Sequence, residues 1–284
     1  MLLETAVEKT DKLGQRRPFD IAGINFDLID TQSILQTICR WRNNGHRGYI
    51  SLINPHSVML CHRDAAMKAA VQGSSLTLPD GIGIVLGAML LSQSHGGRLA
   101  GPEVMLSLCD EGRRCGLTHY FYGGAAGVPE GIVEKLRSRY VGLQVAGVYS
   151  PPFRELTEDE DRAITAKINE AKPDIVWVGL GTAKQEKWMA SHEGKIAATA
   201  MIGVGAAFDF HSGNKAWCPQ LLRRIGLEWA HRLLCEPRRL WRRNIDNPLF
   251  LGVVACQILK TMTHRAKPKE LPSLRKRDEQ NVQS

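Results

Sequence analysis

The sequence predicts an α/β protein, a mostly parallel sheet with helices on both faces, followed by a helical appendage. Three observations carry this. Short apolar runs recur, most ending in a glycine-containing break and leading into a helical stretch. Strands that alternate with helices of about ten or more residues form βαβ units, and these pair in parallel. After Cys218 the alternation stops, and the chain becomes helical and rich in Arg and Trp.

The elements follow in order. Phe19–Leu28 is a short β element and Thr31–Arg42 a helix. Gly48–Ile53 leads through Asn54-Pro55 into a helix near Ser57–Val71, and Ser75–Leu78 through Pro79-Asp80-Gly81-Ile82-Gly83 into Ile84–Leu91. Thr118–Tyr122 ends at Gly123-Gly124 before the helix Val128–Tyr140. Asp174–Val178 ends at Gly179-Leu180-Gly181 before Lys184–His192, and Ala197–Ile202 ends at Gly203-Val204-Gly205. Right-handed crossovers put these breaks at the carboxyl ends of the strands, the edge where open α/β sheets bind ligands. The expected organisation is a flexible N-terminus (1–18), a catalytic core (19–222), a basic appendage (223–268) and a disordered tail (269–284).

Charge is distributed unevenly. From Arg223 to Ser284 there are 14 Lys and Arg against 6 acids, which accounts for the net +8 of the whole chain. The first 222 residues are therefore neutral. Inside the basic stretch lies the apolar run Pro248–Leu259, a length typical of a buried or interfacial helix. A neutral body with a basic, part-apolar tail suggests docking onto an anionic membrane surface. No run reaches the roughly 18 apolar residues of a membrane span, and the N-terminus lacks a secretory apolar core. Seven scattered Cys without a C-x-x-C pair indicate neither a disulfide framework nor a zinc site. The expected location is cytoplasmic, peripheral on the inner face of the cell membrane. Nucleic-acid binding is the rival reading, since basic and aromatic residues also mix there.

Several residues could carry chemistry. Asp80 sits where a strand ends and a helix begins; it fits a general base in a cleft, and equally a helix cap. Gly81, Gly123, Gly124 and Gly181 could let backbone amides approach a diphosphate, although tight turns also explain such glycines. Gln185 could hydrogen-bond a sugar or base, or sit in a solvated first turn. Asp209, between two Phe residues beyond Gly205, could belong to a site or to a buried structural hydrogen bond. Arg239 and Arg242 are three apart on one helical face, with Arg232 about two turns earlier; Arg forks suit phosphate groups.

Together, NPHSVMLCHRDAAMKAA, LTLPDGIGIV, RLAG, VGLGTAKQEKWM, GVGAAFDFHSG and RIGLEWAHRLLCEPRRLWRRN resemble the WecG/TagA/CpsF glycosyltransferase family over roughly Asp20 to Asn247. The resemblance implies a Rossmann-like core with a membrane-engaging helical appendage. It implies inverting transfer of a hexose or N-acetylhexosamine from a UDP-sugar to a polyprenyl-diphosphate-linked saccharide in surface polysaccharide synthesis. By similarity Asp80 is the base. Asn54, Arg98 and Gln185 match family positions, as do Arg232, Arg239 and Arg242 of the appendage. Two departures stand out: Leu52-Ile53 in place of Thr-Pro before Asn54, and Thr182-Ala183 in place of a small residue and Pro before Lys184. No cofactor or metal is expected: the reading finds no D-x-D pair to hold one, and cationic side chains or backbone amides can stabilise the leaving diphosphate.

Overall fold

A computed structural model describes residues 19–91, 99–224 and 226–265. The expectations for 1–18 and for the tail 269–284 lie outside these residues. Six parallel strands form one sheet in the order β4-β3-β8-β7-β5-β6. They are β3 (Gly48–Ile53), β4 (Leu76–Pro79), β5 (Thr118–Gly123), β6 (Gln144–Tyr149), β7 (Ile175–Gly179) and β8 (Ala200–Gly203). A two-stranded antiparallel hairpin, β1 (Phe19–Ile21) and β2 (Ile24–Phe26), precedes them.

Side-chain alternation decides which face each residue fills. On β5, Phe121 enters one core and Tyr120 and Tyr122 another; on β7, Ile175 and Trp177 face the first and Val176 and Val178 the second. The first core is closed by α1 (Thr31–Asn43), α5 (Gly101–Glu111) and α6 (Val128–Arg139), through residues such as Ile38, Met105 and Ile132. The second is closed by α7 (Glu158–Glu170) and α8 (Lys184–His192), through Ile164, Ile168 and Met189. Burial on both faces explains the nearly continuous apolar runs of these strands.

The single helix expected near Ser57–Val71 is two: α2 (Pro55–Arg63) and α3 (Ala65–Gly73). Asp64 breaks it with an extended backbone (φ −134°, ψ 104°), and its carboxylate accepts from the Met67 amide to start α3.

A third core lies at the β4 edge, where the hairpin packs with α2, α3 and α4 (Ile82–Leu90). The C-terminal helices are α10 (Gln220–Arg224), α11 (Glu228–Cys235) and the 29-residue α12 (Pro237–Arg265); α9 (Ala207–Ser212) precedes them. The appendage does not stand off from the body. Phe250 and Val254 of α12 are fully buried in the third core, and Phe250 lies where Gly87 of α4 leaves room for it. Gln257 ties α12 to the hairpin: Oε1 accepts from the Ala22 amide at 2.8 Å, and Nε2 donates to Asp20 Oδ1 at 2.9 Å. Arg223, at the expected boundary, donates to Glu103 of α5 at 2.8 Å. No helix among the described residues is long and apolar enough to cross a membrane.

Candidate active site

The carboxyl ends of β3, β4, β5, β7 and β8 open into a cleft of about 390 Å³. Glycines form much of its wall, and Gly124, Gly181 and Asp209 line it. Gly123, expected there too, is not among the lining residues and has a packing role instead. It has φ +132°, and a Cβ there would lie 2.5 Å from the carbonyl of Gly179 on the neighbouring strand, so any side chain would force the ends of β5 and β7 apart. Asp209 is ion-paired with Lys215 at 2.8 Å.

A second, mainly apolar cavity of about 300 Å³ lies between α2, α4, α11 and α12, walled by Gly81, Ile82, Leu86, Trp229, Leu240 and Phe250. The two chambers share Asn54, Asp80, Arg232 and Arg243. Asp80 therefore stands at their junction.

Asp80 does not cap the helix after it. Gly81 occupies the N-cap position of α4, and no side chain accepts from that first turn. The strand-end geometry instead aims the carboxylate at Asn54, whose Nδ2 lies 3.4 Å from Asp80 Oδ2. Asn54 in turn is fixed by capping α2, its Oδ1 accepting from the Ser57 amide at 3.0 Å and the Ser57 hydroxyl at 3.2 Å. Burial pushes the Asp80 carboxyl above its ordinary range; the Asn54 amide, the Arg243 and Arg232 charges and the Gly101 amide oppose it without cancelling it.

Gln185 is buried rather than solvated. Its Oε1 accepts from the Gly205 amide at 3.0 Å, and its Nε2 donates to Glu186 Oε1 at 2.8 Å. The amide reaches the cleft wall anchored at both ends. Glu186, its own pKa raised by burial, accepts from the Ala183 amide at 2.7 Å. Ala183 adopts φ +71°, a value closed to the proline usual at that place, so the departure reshapes the turn.

The appendage arginines divide. Arg232 lines both chambers, with its guanidinium 5.3 Å from the Phe210 ring centre. Arg242 is solvent-exposed, stacked 5.2 Å from the Trp241 ring, and the structure puts Arg243 at the cleft in its place. The cause is helix rotation. Leu240, Arg243, Asn244 and Asn247 recur at i, i+3, i+4 and i+7 on the face whose next members, Phe250 and Val254, are buried. Arg239 is on α12, but its side chain, like the whole of Arg98, lies outside those described.

Among the described residues no three His, Cys, Asp or Glu are grouped to hold a metal. Contrary to expectation the chain does hold a D-x-D pair, Asp159 and Asp161, but it is in the first turn of α7, bonded to Arg162 and His192 and absent from the cleft lining. None of the seven cysteines is in a disulfide. Sequence reasoning missed Arg243, His56 beside Asn54, and Phe153, which stands 87% exposed at the rim of the polar cleft.

Residues 19–264 match the profile of the glycosyl transferase WecG/TagA/CpsF family. The chain belongs to this family. It is 32% identical over 222 residues to the N-acetylglucosaminyldiphosphoundecaprenol N-acetyl-beta-D-mannosaminyltransferase of Bacillus subtilis (strain 168), covering 78% of this chain and 84% of that one. The protein of the same name from Bacillus spizizenii (strain ATCC 23059 / NRRL B-14472 / W23) is 30% identical, with 86% and 91% covered. Its namesake from Staphylococcus aureus (strain NCTC 8325 / PS 47) is 26% identical, with 83% and 91% covered. The family makes the chain a glycosyltransferase, and the parallel sheet with helices on both faces gives it a Rossmann-like core.

Proposed function

We propose that the protein is an inverting transferase that moves a hexose or N-acetylhexosamine from a UDP-sugar to a lipid-diphosphate-linked saccharide. The position of Asp80 between the two chambers carries this reading. The polar, glycine-walled cleft at the strand ends suits a nucleotide diphosphate, which backbone amides can approach closely. The apolar chamber, with Arg232 and Arg243 at its inner end, suits an acceptor that joins a lipid, a diphosphate and a sugar. It does not suit a nucleic-acid strand, which needs an open basic groove.

A base between donor and acceptor supports single displacement. Asp80 takes the proton of the attacking hydroxyl as its oxygen bonds to C1 of the donor sugar. The C1–O bond to the diphosphate breaks on the opposite face, and UDP leaves with the electron pair. Its raised pKa makes Asp80 a better proton acceptor than an exposed carboxylate. Arg232 and Arg243 bring positive charge to the same junction, where the leaving group gains negative charge, and we assign this role to them without a metal.

We further infer that the protein is peripheral on a membrane. Leu86 of α4, Trp229 of α11 and Leu251 of α12 line the apolar chamber and are exposed, and Met89 and Leu90 of α4 and Leu249 of α12 are exposed on the same helices. Such a rim is where an apolar face meets lipid. One experiment tests the whole reading. The chain is incubated with UDP-hexosamines and an N-acetylglucosaminyl-diphospho-lipid, and the anomeric configuration of any product is read by NMR. Inversion is expected; retention, or no transfer to that lipid, overturns the proposal.

A further inference from the structure

We propose that His56 is a specificity residue for the acceptor. Held in one tautomer by Asp246, its Nε2 accepts a hydrogen bond from a hydroxyl or amide N–H of the lipid-linked saccharide. The inference rests on the reading of the apolar chamber as the acceptor site.

His56 is the second residue of α2, two after Asn54, and it lines the apolar chamber with Asp80. Its Nδ1 lies 2.5 Å from Asp246 Oδ2, while Asp246 Oδ1 accepts from Arg63 Nη2 at 2.5 Å. Asp246 is almost wholly buried. Burial alone would raise its pKa, but the hydrogen bonds from Arg63 and His56 outweigh that and hold it below the ordinary range. An ionised carboxylate can only accept, so the imidazole proton belongs on Nδ1. Nε2 then carries a lone pair, and among the described residues no group is bonded to it.

A pin between α2 and α12 would need only Arg63 and Asp246. An imidazole that lines a mostly apolar chamber with its second nitrogen unbonded is placed to do more, since it can offer that lone pair to a hydroxyl or amide N–H entering the chamber. The charged groups around the ring decide its state. Burial lowers the His56 pKa, Arg243 and Arg63 lower it further, and Asp246 opposes them without prevailing. Asp80, Glu228 and Arg232 line the same chamber. A neutral imidazole is a weak partner for a diphosphate, a role that suits Arg232 and Arg243. It is a good acceptor for a sugar hydroxyl.

The test is equilibrium binding of an N-acetylglucosaminyl-diphospho-farnesyl probe to the full chain in the presence of UDP. His56→Ala should weaken probe binding about 5–10-fold, the worth of one neutral hydrogen bond of about 1 kcal/mol, with UDP affinity unchanged and only a modest fall in melting temperature as Asp246 loses one donor. His56→Gln, which keeps an acceptor, should recover most of the loss. In the wild type, probe affinity should fall as pH drops through the His56 titration and Nε2 gains a proton. In His56→Gln that dependence should vanish. Unchanged probe affinity in His56→Ala, or a loss shared with UDP and accompanied by a lower melting temperature, leaves only a structural pin and overturns the proposal. Affinity that strengthens in acid overturns it too, since the imidazolium would then be serving the diphosphate. A wild type that binds UDP but not the probe removes the acceptor reading of the chamber itself.

Discussion

The side-chain amide of Asn54 does two jobs at once: its oxygen starts helix α2 through Ser57, and its nitrogen lies 3.4 Å from the Asp80 carboxylate. Helix capping and the placing of the Asp80 carboxylate are thereby one interaction. Asn54→Ala should lower stability by about 1 kcal/mol through the lost cap and reduce turnover as well. Asn54→Asp should restore the cap but place a second carboxylate beside Asp80, raising its pKa and leaving turnover low. A melt run beside an activity assay separates the two jobs; full activity in Asn54→Asp would show that the contact does not orient the base.

Asp80→Asn should cut turnover by about 10²–10⁴-fold, the usual worth of a general base. Its stability should move the other way. A carboxyl whose folded pKa is raised favours the folded state when protonated, and that advantage is lost as pH rises through the folded value. At neutral pH the ionised Asp80 is a cost, so the neutral amide should melt no lower than the wild type. A lower melting temperature would mean that the carboxylate is structural.

The acid limb of kcat/KM should lie above the ordinary Asp pKa of about 3.9, with activity lost below it as Asp80 takes up a proton. Arg243 favours the charged form, so Arg243→Ala should move the limb to higher pH. Arg242→Ala, on the solvent side of α12, should leave it in place. An identical limb in all three proteins would detach Arg243 from Asp80.

Phe250→Ala should cost about 3–5 kcal/mol, because the ring is buried in the third core against α4. Leu249→Ser and Leu251→Ser, on the exposed side of the same helix, should hardly change the melt but should weaken co-sedimentation with anionic vesicles. If truncation after Asp246 leaves the melt untouched, α12 is not part of the core.

The sheet was legible because its strands are buried on both faces and end in glycine turns. Strand β6 was not: it lies at the sheet edge, half exposed, so its apolar signal is diluted. Helix α7 did carry a signal, the capping box of Thr157 and Glu160, which apolar periodicity overlooks. The break at Asp64 has neither Gly nor Pro to announce it. At the site, Asp80 could be read from its place at a strand end, and Asn54 through the family resemblance. Arg243 could not, because the choice between neighbouring arginines depends on how Leu240, Phe250 and Val254 turn α12 against the body.

The bonds from Gln257 to Ala22 and Asp20 join residues about 235 positions apart. Contacts this remote in the chain form late in folding, after the local units have condensed. During synthesis the hairpin leaves the ribosome early and waits for α12, so its edge core stays open and one wall of the apolar chamber is missing. A nascent chain can therefore build its sheet and the cleft at the strand ends well before the apolar chamber is closed. The chamber is complete only once α12 has followed.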